Sequence, residues 1–151
     1  MLNTTMQIAI REATPADAAD IVRLIDELAA IDGEHSPLTE AYVATYLSSA
    51  VSKILLAERR QSIVGLLSYS LRPDLYHAAL SCLVEELIVQ KDARGQGVGR
   101  ALLVELLARL ATLDCAEVSV AAAPANTRAI KFYRMHGLAE ECLFLEKHFA
   151  R

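Results

Sequence analysis

Apolar positions along the chain switch between two periods. Residues 7–12 alternate, with Ile8 and Ile10 apolar, and predict a first strand. Ala18, Ile21, Val22, Ile25, Leu28 and Ala29 then recur at helical spacing, with Asp20, Arg23, Asp26 and Glu27 on the other face. Thr14 suits the N-cap, Pro15 the first helical position and Asp17 the positive helix end. This helix runs to about residue 31, where Gly33 and Pro37 interrupt the pattern, and a shorter helix follows over 40–49. Strands are expected at 53–58 and 62–71, joined by a tight turn, and at 80–89. Val98, Leu102, Leu106, Leu107 and Leu110 mark a helix to about residue 113. A strand over 117–122, a helix over 126–136 closed by Gly137, and a final strand over 143–149 complete the chain. The order β-α-α-β-β-β-α-β-α-β, without repeat or linker, predicts one α/β domain over residues 1–151 with a mixed sheet.

Composition narrows the class. The chain has 151 residues, 54% hydrophobic and 23% charged, enough for one well-filled core. Its net charge of -4, with no block of Lys or Arg, argues against a nucleic-acid partner, because such affinity rests on neutralised phosphates. No apolar run reaches the roughly 20 residues of a membrane span. The first residues lack a signal-peptide pattern; Met6 is a candidate alternative start, and residues 1–5 are candidates for disorder. Cys82, Cys115 and Cys142 are odd in number and lack CxxC spacing, so they read as small buried hydrophobes in a reducing cytoplasm. His35, His77, His136 and His148 are scattered, with no HExxH pattern, and no metal site is expected.

Two segments carry candidate chemistry. Arg94-Gly95-Gln96-Gly97-Val98-Gly99 lies between a predicted strand and a predicted helix. Alternate glycines let the backbone turn tightly and bring its N–H groups close to a ligand, and the helix start favours an anion. A phosphate cradle and a plain packing turn are both compatible with these residues. A dinucleotide-type GxGxxG would need glycine where Arg100 or Leu102 stands, and a Walker A loop would need a Lys-Ser or Lys-Thr. In the second segment Asn126 suits an N-cap, with Ala129, Phe132 and Tyr133 following at helical spacing. A capped helix with aromatic core residues and a catalytic tyrosine both remain open there.

In combination these segments resemble the GNAT superfamily of N-acetyltransferases. Residues 83–103 are similar to its acetyl-CoA motif, met here by Arg94, Gly97 and Gly99, and Asn126-x-x-Ala129-x-x-Phe132-Tyr133 is similar to its next motif. The resemblance implies a mixed sheet, flanked by helices and splayed between the strands ending near Val89 and Ala122. Leu87, Ile88 and Val89 would run beside the pantetheine arm of acetyl-CoA. Residues Arg94, Gly95, Gln96, Gly97, Val98, Gly99 and Arg100 would hold the pyrophosphate, and Asn126 would contact the cofactor. Glu85-Glu86-Leu87-Ile88-Val89 is similar to a strand of small-amine and polyamine acetyltransferases. On that match Glu85 lies near the acceptor, the Ile88 N–H polarises the acetyl carbonyl, and Tyr133 faces the sulfur. Strict alternation puts Glu85 and Glu86 on opposite faces, although the family's bulge in this strand would change their aim.

The implied reaction is direct transfer of an acetyl group to a primary amine in a ternary complex, without a metal. A protein N-terminal or lysine acetyltransferase and a non-catalytic acyl-CoA sensor are the alternatives. The acceptor is expected to be a small molecule, in a pocket shaped by residues 32–46 and 72–79, and a homodimer is a family-level expectation.

Overall fold

The computed structural model describes residues 7–150. The candidate start at Met6 and the candidate disorder of residues 1–5 lie outside them. Strand β1 (Ala9–Glu12) leads into helix α1 (Ala18–Ile31) through a 3-10 turn at Pro15–Asp17. Thr14 and Asp17 close a capping box at this corner. Asp17 also accepts two hydrogen bonds from the Arg11 guanidinium, at 2.8 and 2.9 Å, which ties β1 to the start of α1. Helix α2 (Glu40–Leu47) starts at Thr39, whose hydroxyl accepts from the Tyr42 N–H. Strands β2 (Ser52–Arg59) and β3 (Ser62–Asp74) form a hairpin. Arg60 and Gln61 turn it with φ of 50° and 64°, as the twist of a tight hairpin demands. Strand β4 (Ala79–Val89), helix α3 (Val98–Leu110), strand β5 (Cys115–Val120) and helix α4 (Thr127–Met135) follow.

The five strands form one sheet in sequence order. Neighbours are antiparallel except β4 and β5, which run parallel. A parallel pair needs a crossover, and α3 supplies it. Ile21, Leu24 and Val43 of α1 and α2 bury against Ile54, Leu56, Leu66 and Ile88 on one face. On the other face Val98, Leu102, Leu103 and Leu106 of α3 bury against Leu55, Leu67 and Val84. Helix α3 comes closest at Gly65, where a Cβ would lie 2.8 Å from Val98 Cγ1. A glycine inside a strand commonly marks such an approach, and this one sets the height of the loop before α3.

Element order follows the expected pattern as far as α4. The strand expected over 143–149 is not formed, and the segment after Leu138 is irregular. Leu143, Phe144, Leu145 and Phe149 are all well exposed. Alternation chooses which side of a strand is apolar, but it supplies no pairing partner. The cysteines also differ from expectation. Cys82 is buried, and burial pushes its thiol up to about 12, but Cys115 is half-buried and Cys142 lies exposed in the irregular segment.

Candidate active site

The site begins where two strands part. Strands β4 and β5 pair from Leu80 opposite Cys115 to Val84 opposite Val120. Beyond that point β5 ends, while β4 continues through residues 85–89 paired only with β3. A wedge opens there, with one edge of β4 facing it. The Glu86 N–H donates to Ser68 Oγ at 3.1 Å and the Gln90 N–H to the Val64 carbonyl at 2.9 Å, so both point toward β3. Amide directions alternate along a strand, which turns the Ile88 N–H toward β3 as well. The N–H groups of Leu87 and Val89 therefore face the wedge. The donor toward the opening is not that of Ile88, as the resemblance implied.

The Gly-rich loop closes one end of the wedge. Gly95 and Gly97 hold φ of 71° and 84°, left-handed values that favour glycine, and the space where their Cβ atoms would project is open. Gly97 is the N-cap of α3. Among the described residues, no protein acceptor engages the N–H groups of residues 95–100. Six consecutive free amides at a helix start form an anion cradle. The loop side chains brace it. Arg94 Nε donates to the Val89 carbonyl at 2.8 Å, and its guanidinium pairs with Glu27 of α1 at 3.2 Å. Gln96 donates to the Asp92 carbonyl at 3.0 Å and accepts from Arg59. Arg94 and Gln96 thus spend their side chains on loop geometry, while Arg100 is exposed and has no ion-pair partner among the described residues.

On the α1 and α2 side of β4 lies a cavity of about 290 Å³, lined by Ile21, Ile25, Leu38, Val43, Tyr46 and Glu86 among others. A β-bulge sets its acidic end. Ser68 pairs with Glu86 and Tyr69 with Val84, so Glu85 is the extra residue. The bulge brings both carboxylates to the face of Ser68 and Ser70, correcting the opposite-face expectation from alternation. Ser68 Oγ donates to the Glu86 carboxylate, and Ser70 Oγ donates to Glu85 at 2.9 Å. Glu86 lines the cavity, whereas Glu85 is exposed beside it. Burial pushes the Glu86 carboxyl above its ordinary value, Ser68 pulls it back, and the Glu85 charge adds to the rise. The Tyr46 phenol is raised, first by burial and then by the Glu86 charge.

Helix α4 borders the wedge from the far side. Its N-cap, Asn126, accepts from the Ala129 N–H at 3.1 Å, which leaves the side-chain amide N–H groups without a protein partner among the described residues. Phe132 packs beside Gly99, 3.7 Å from where a Cβ would stand, with Val89 Cγ2 at the same distance. This contact gathers α4, the cradle and the end of β4 around one point. Tyr133 is 9% exposed. Its hydroxyl finds no partner among the described residues, yet it is not one of any fully enclosed, unsatisfied polar atoms. Its tip therefore keeps access to open space. Burial raises its phenol, so it holds its proton through neutral pH.

The sequence singled out the residues of loop, wedge and α4, and the structure brings Phe132 of α4, Gly99 of the loop and Val89 of β4 together. It missed Glu27, Ser68 and Ser70. Ser68 and Ser70 had a visible signal, since they interrupt the apolar face of β3 at a spacing of two, opposite the two glutamates. The 32–46 region does shape the cavity, through Ser36, Leu38, Tyr42 and Tyr46. The 72–79 loop does not; Tyr76 and His77 sit away from it, with His77 bonded to Asp74 at 2.7 Å.

Residues 20–138 match the acetyltransferase (GNAT) family. An aminoalkylphosphonate N-acetyltransferase of Salmonella typhimurium is 31% identical over 112 residues, which cover 73% of this chain and 72% of that protein. An aminoglycoside acetyltransferase from an uncultured soil metagenomic sample, solved with sisomicin, superposes with a TM-score of 0.81 at 18% identity, covering 95% of this chain and 96% of that one. A ribosomal-protein-alanine N-acetyltransferase from Brucella melitensis gives 0.82 at 18% identity, covering 95% and 100%. These two structures share the fold. The family match, spanning most of the chain, and the curated relative together show that the chain belongs to the GNAT family of acetyltransferases.

Proposed function

We propose that the protein transfers an acetyl group from acetyl-CoA directly to the amine of a small molecule. The observation that carries this reading is the meeting of two unlike openings at one strand. The wedge and its free-amide cradle suit a long, phosphate-bearing thioester. The cavity with Glu86 at its end suits an amine.

Acetyl-CoA supplies the activated acetyl group; residues 95–100 and Arg100 would hold its pyrophosphate and Asn126 would contact its arm. Leu87 and Val89 offer N–H groups toward the wedge, and the one nearer the reacting carbonyl stabilises the charge that develops on its oxygen. Glu86 attracts the ammonium and, directly or through water, accepts its proton before the nitrogen attacks. Glu85 adds a second negative charge at the mouth. The C–N bond forms as the C–S bond breaks, and Tyr133, kept protonated by burial, donates a hydrogen bond to the departing sulfur. The curated relative is named for a small amine acceptor, which favours a small molecule over a protein acceptor.

Calorimetry tests the cofactor half. Gly97→Glu places a negative side chain in the cradle and should remove measurable acetyl-CoA binding from a folded protein. Unchanged affinity in that variant rules out the loop as the phosphate site.

A further inference from the structure

The cavity on the α1 and α2 side has a chemistry that narrows the acceptor. Its walls are Ile21 and Ile25 of α1, Leu38, Val43 of α2, Ile54 of β2 and Leu66 of β3. Its polar groups are confined to Ser36, Tyr42, Tyr46, Ser68 and Glu86, and no Lys, Arg or His lines it. The bulge places Glu85 on the same face, so a second carboxylate stands beside the polar end, outside the cavity.

The cations nearest this face stand outside the cavity. Arg23 donates to Asp20, Gln90 and the Ile63 carbonyl. Arg94 is held by Val89 and Glu27. Arg72 follows Ser70 on the same side of β3, but it is exposed and does not line the cavity.

We propose that the acceptor is a primary amine carried on an apolar chain or ring, without a carboxylate or phosphonate close to the amine. The ammonium meets Glu86, and the apolar part lies among Ile25, Leu38, Val43 and Ile54. Tyr42 and Tyr46 offer aromatic faces at the same cavity. An acid group two or three bonds from the nitrogen would sit beside like charges in a cavity whose lining holds no cation to pair it. At ~6 Å and an effective dielectric of about 20, that repulsion amounts to about 100-fold in affinity. This inference rests on the proposed acetyl transfer, and it separates this chain from an aminoalkylphosphonate acetyltransferase.

The test compares 2-phenylethylamine with 2-aminoethylphosphonate on the full chain with acetyl-CoA. kcat/KM is expected to favour phenylethylamine by about 100-fold. Leu38→Arg, checked for folding by a thermal melt, should narrow the gap by giving an acid group a partner. Equal or better turnover of the phosphonate by the unaltered protein overturns the substrate class while leaving acetyl transfer intact. If neither amine is acetylated but phenylethylamine binds by calorimetry, and Glu86→Gln abolishes that binding, the cavity assignment stands and acetyl transfer falls. Failure of phenylethylamine both to bind and to react overturns the inference.

Discussion

Ser68 and Glu86 hold each other at two points across the β3–β4 ladder: the Glu86 N–H donates to Ser68 Oγ at 3.1 Å, and the same hydroxyl donates to the Glu86 carboxylate. The serine stands in for the backbone partner that the bulge at Glu85 displaces. One hydroxyl thus fixes the bulge and aims the carboxylate into the cavity.

Glu86→Gln should lower turnover by about 10²-fold or more and leave acetyl-CoA affinity nearly unchanged, because the carboxylate serves the amine and not the cofactor. Glu85→Gln should have a smaller effect, since Glu85 is exposed and outside the cavity. Steady-state kinetics with parallel calorimetry measures both. A crippled Glu85→Gln beside a normal Glu86→Gln would reverse the two roles.

The pH profile provides a sharper reading. Glu86 must be ionised to take the proton, so turnover should rise with pH through a carboxyl value above the ordinary 4.5. Glu85 and burial raise that value, whereas Ser68 lowers it. Glu85→Gln should therefore move the acid limb of kcat/KM to lower pH, and Ser68→Ala should move it to higher pH. Shifts in the same direction for both variants would show that another group controls the limb.

Gly65→Ala tests how α3 positions the cradle. The added methyl would meet Val98 Cγ1 at 2.8 Å and Leu102 Cδ1 at 3.2 Å. Overpacking of this kind costs about 1–3 kcal/mol, which for a chain of this size lowers Tm by roughly 2–12 °C. The loss of acetyl-CoA affinity should accompany the shift in α3. A variant with wild-type Tm would mean that Val98 rotates aside without cost.

Tyr133→Phe removes only the hydroxyl and leaves the ring packed against the core. Because that hydroxyl has no protein partner among the described residues, the fold should be unaffected. Turnover should fall by about 10²-fold, the lower end of general acid effects, with acetyl-CoA binding retained. Near wild-type turnover in a folded variant would make Tyr133 a packing residue and leave proton donation to water.

Local patterns carried most of this layout, and the failures lie where the pattern stops being informative. The cap at Thr14, the glycines at 95 and 97 and the cap at Asn126 act within a few residues, so their signals survive in sequence. Glu27 steadies the cradle through Arg94 and the Lys91 N–H, more than sixty residues away. Nothing in the pattern of α1 distinguishes it from the other acids on that face. Alternation misplaced Glu86 because one bulged residue inverts the facing of everything beyond it. The segment over 143–149 failed for another reason, since a short run of Leu and Phe suits a strand but leaves its partner unspecified.

The most direct measurement follows the acetyl group itself. The purified chain is incubated with acetyl-CoA and a panel of primary amines, free thiol is titrated, and the amines are weighed by mass spectrometry. At least one amine should gain a single acetyl group for each thiol released, with the reaction lost in Glu86→Gln. Tight acetyl-CoA binding with no acetylated small amine, or acetyl groups found only on peptide amines, would contradict it.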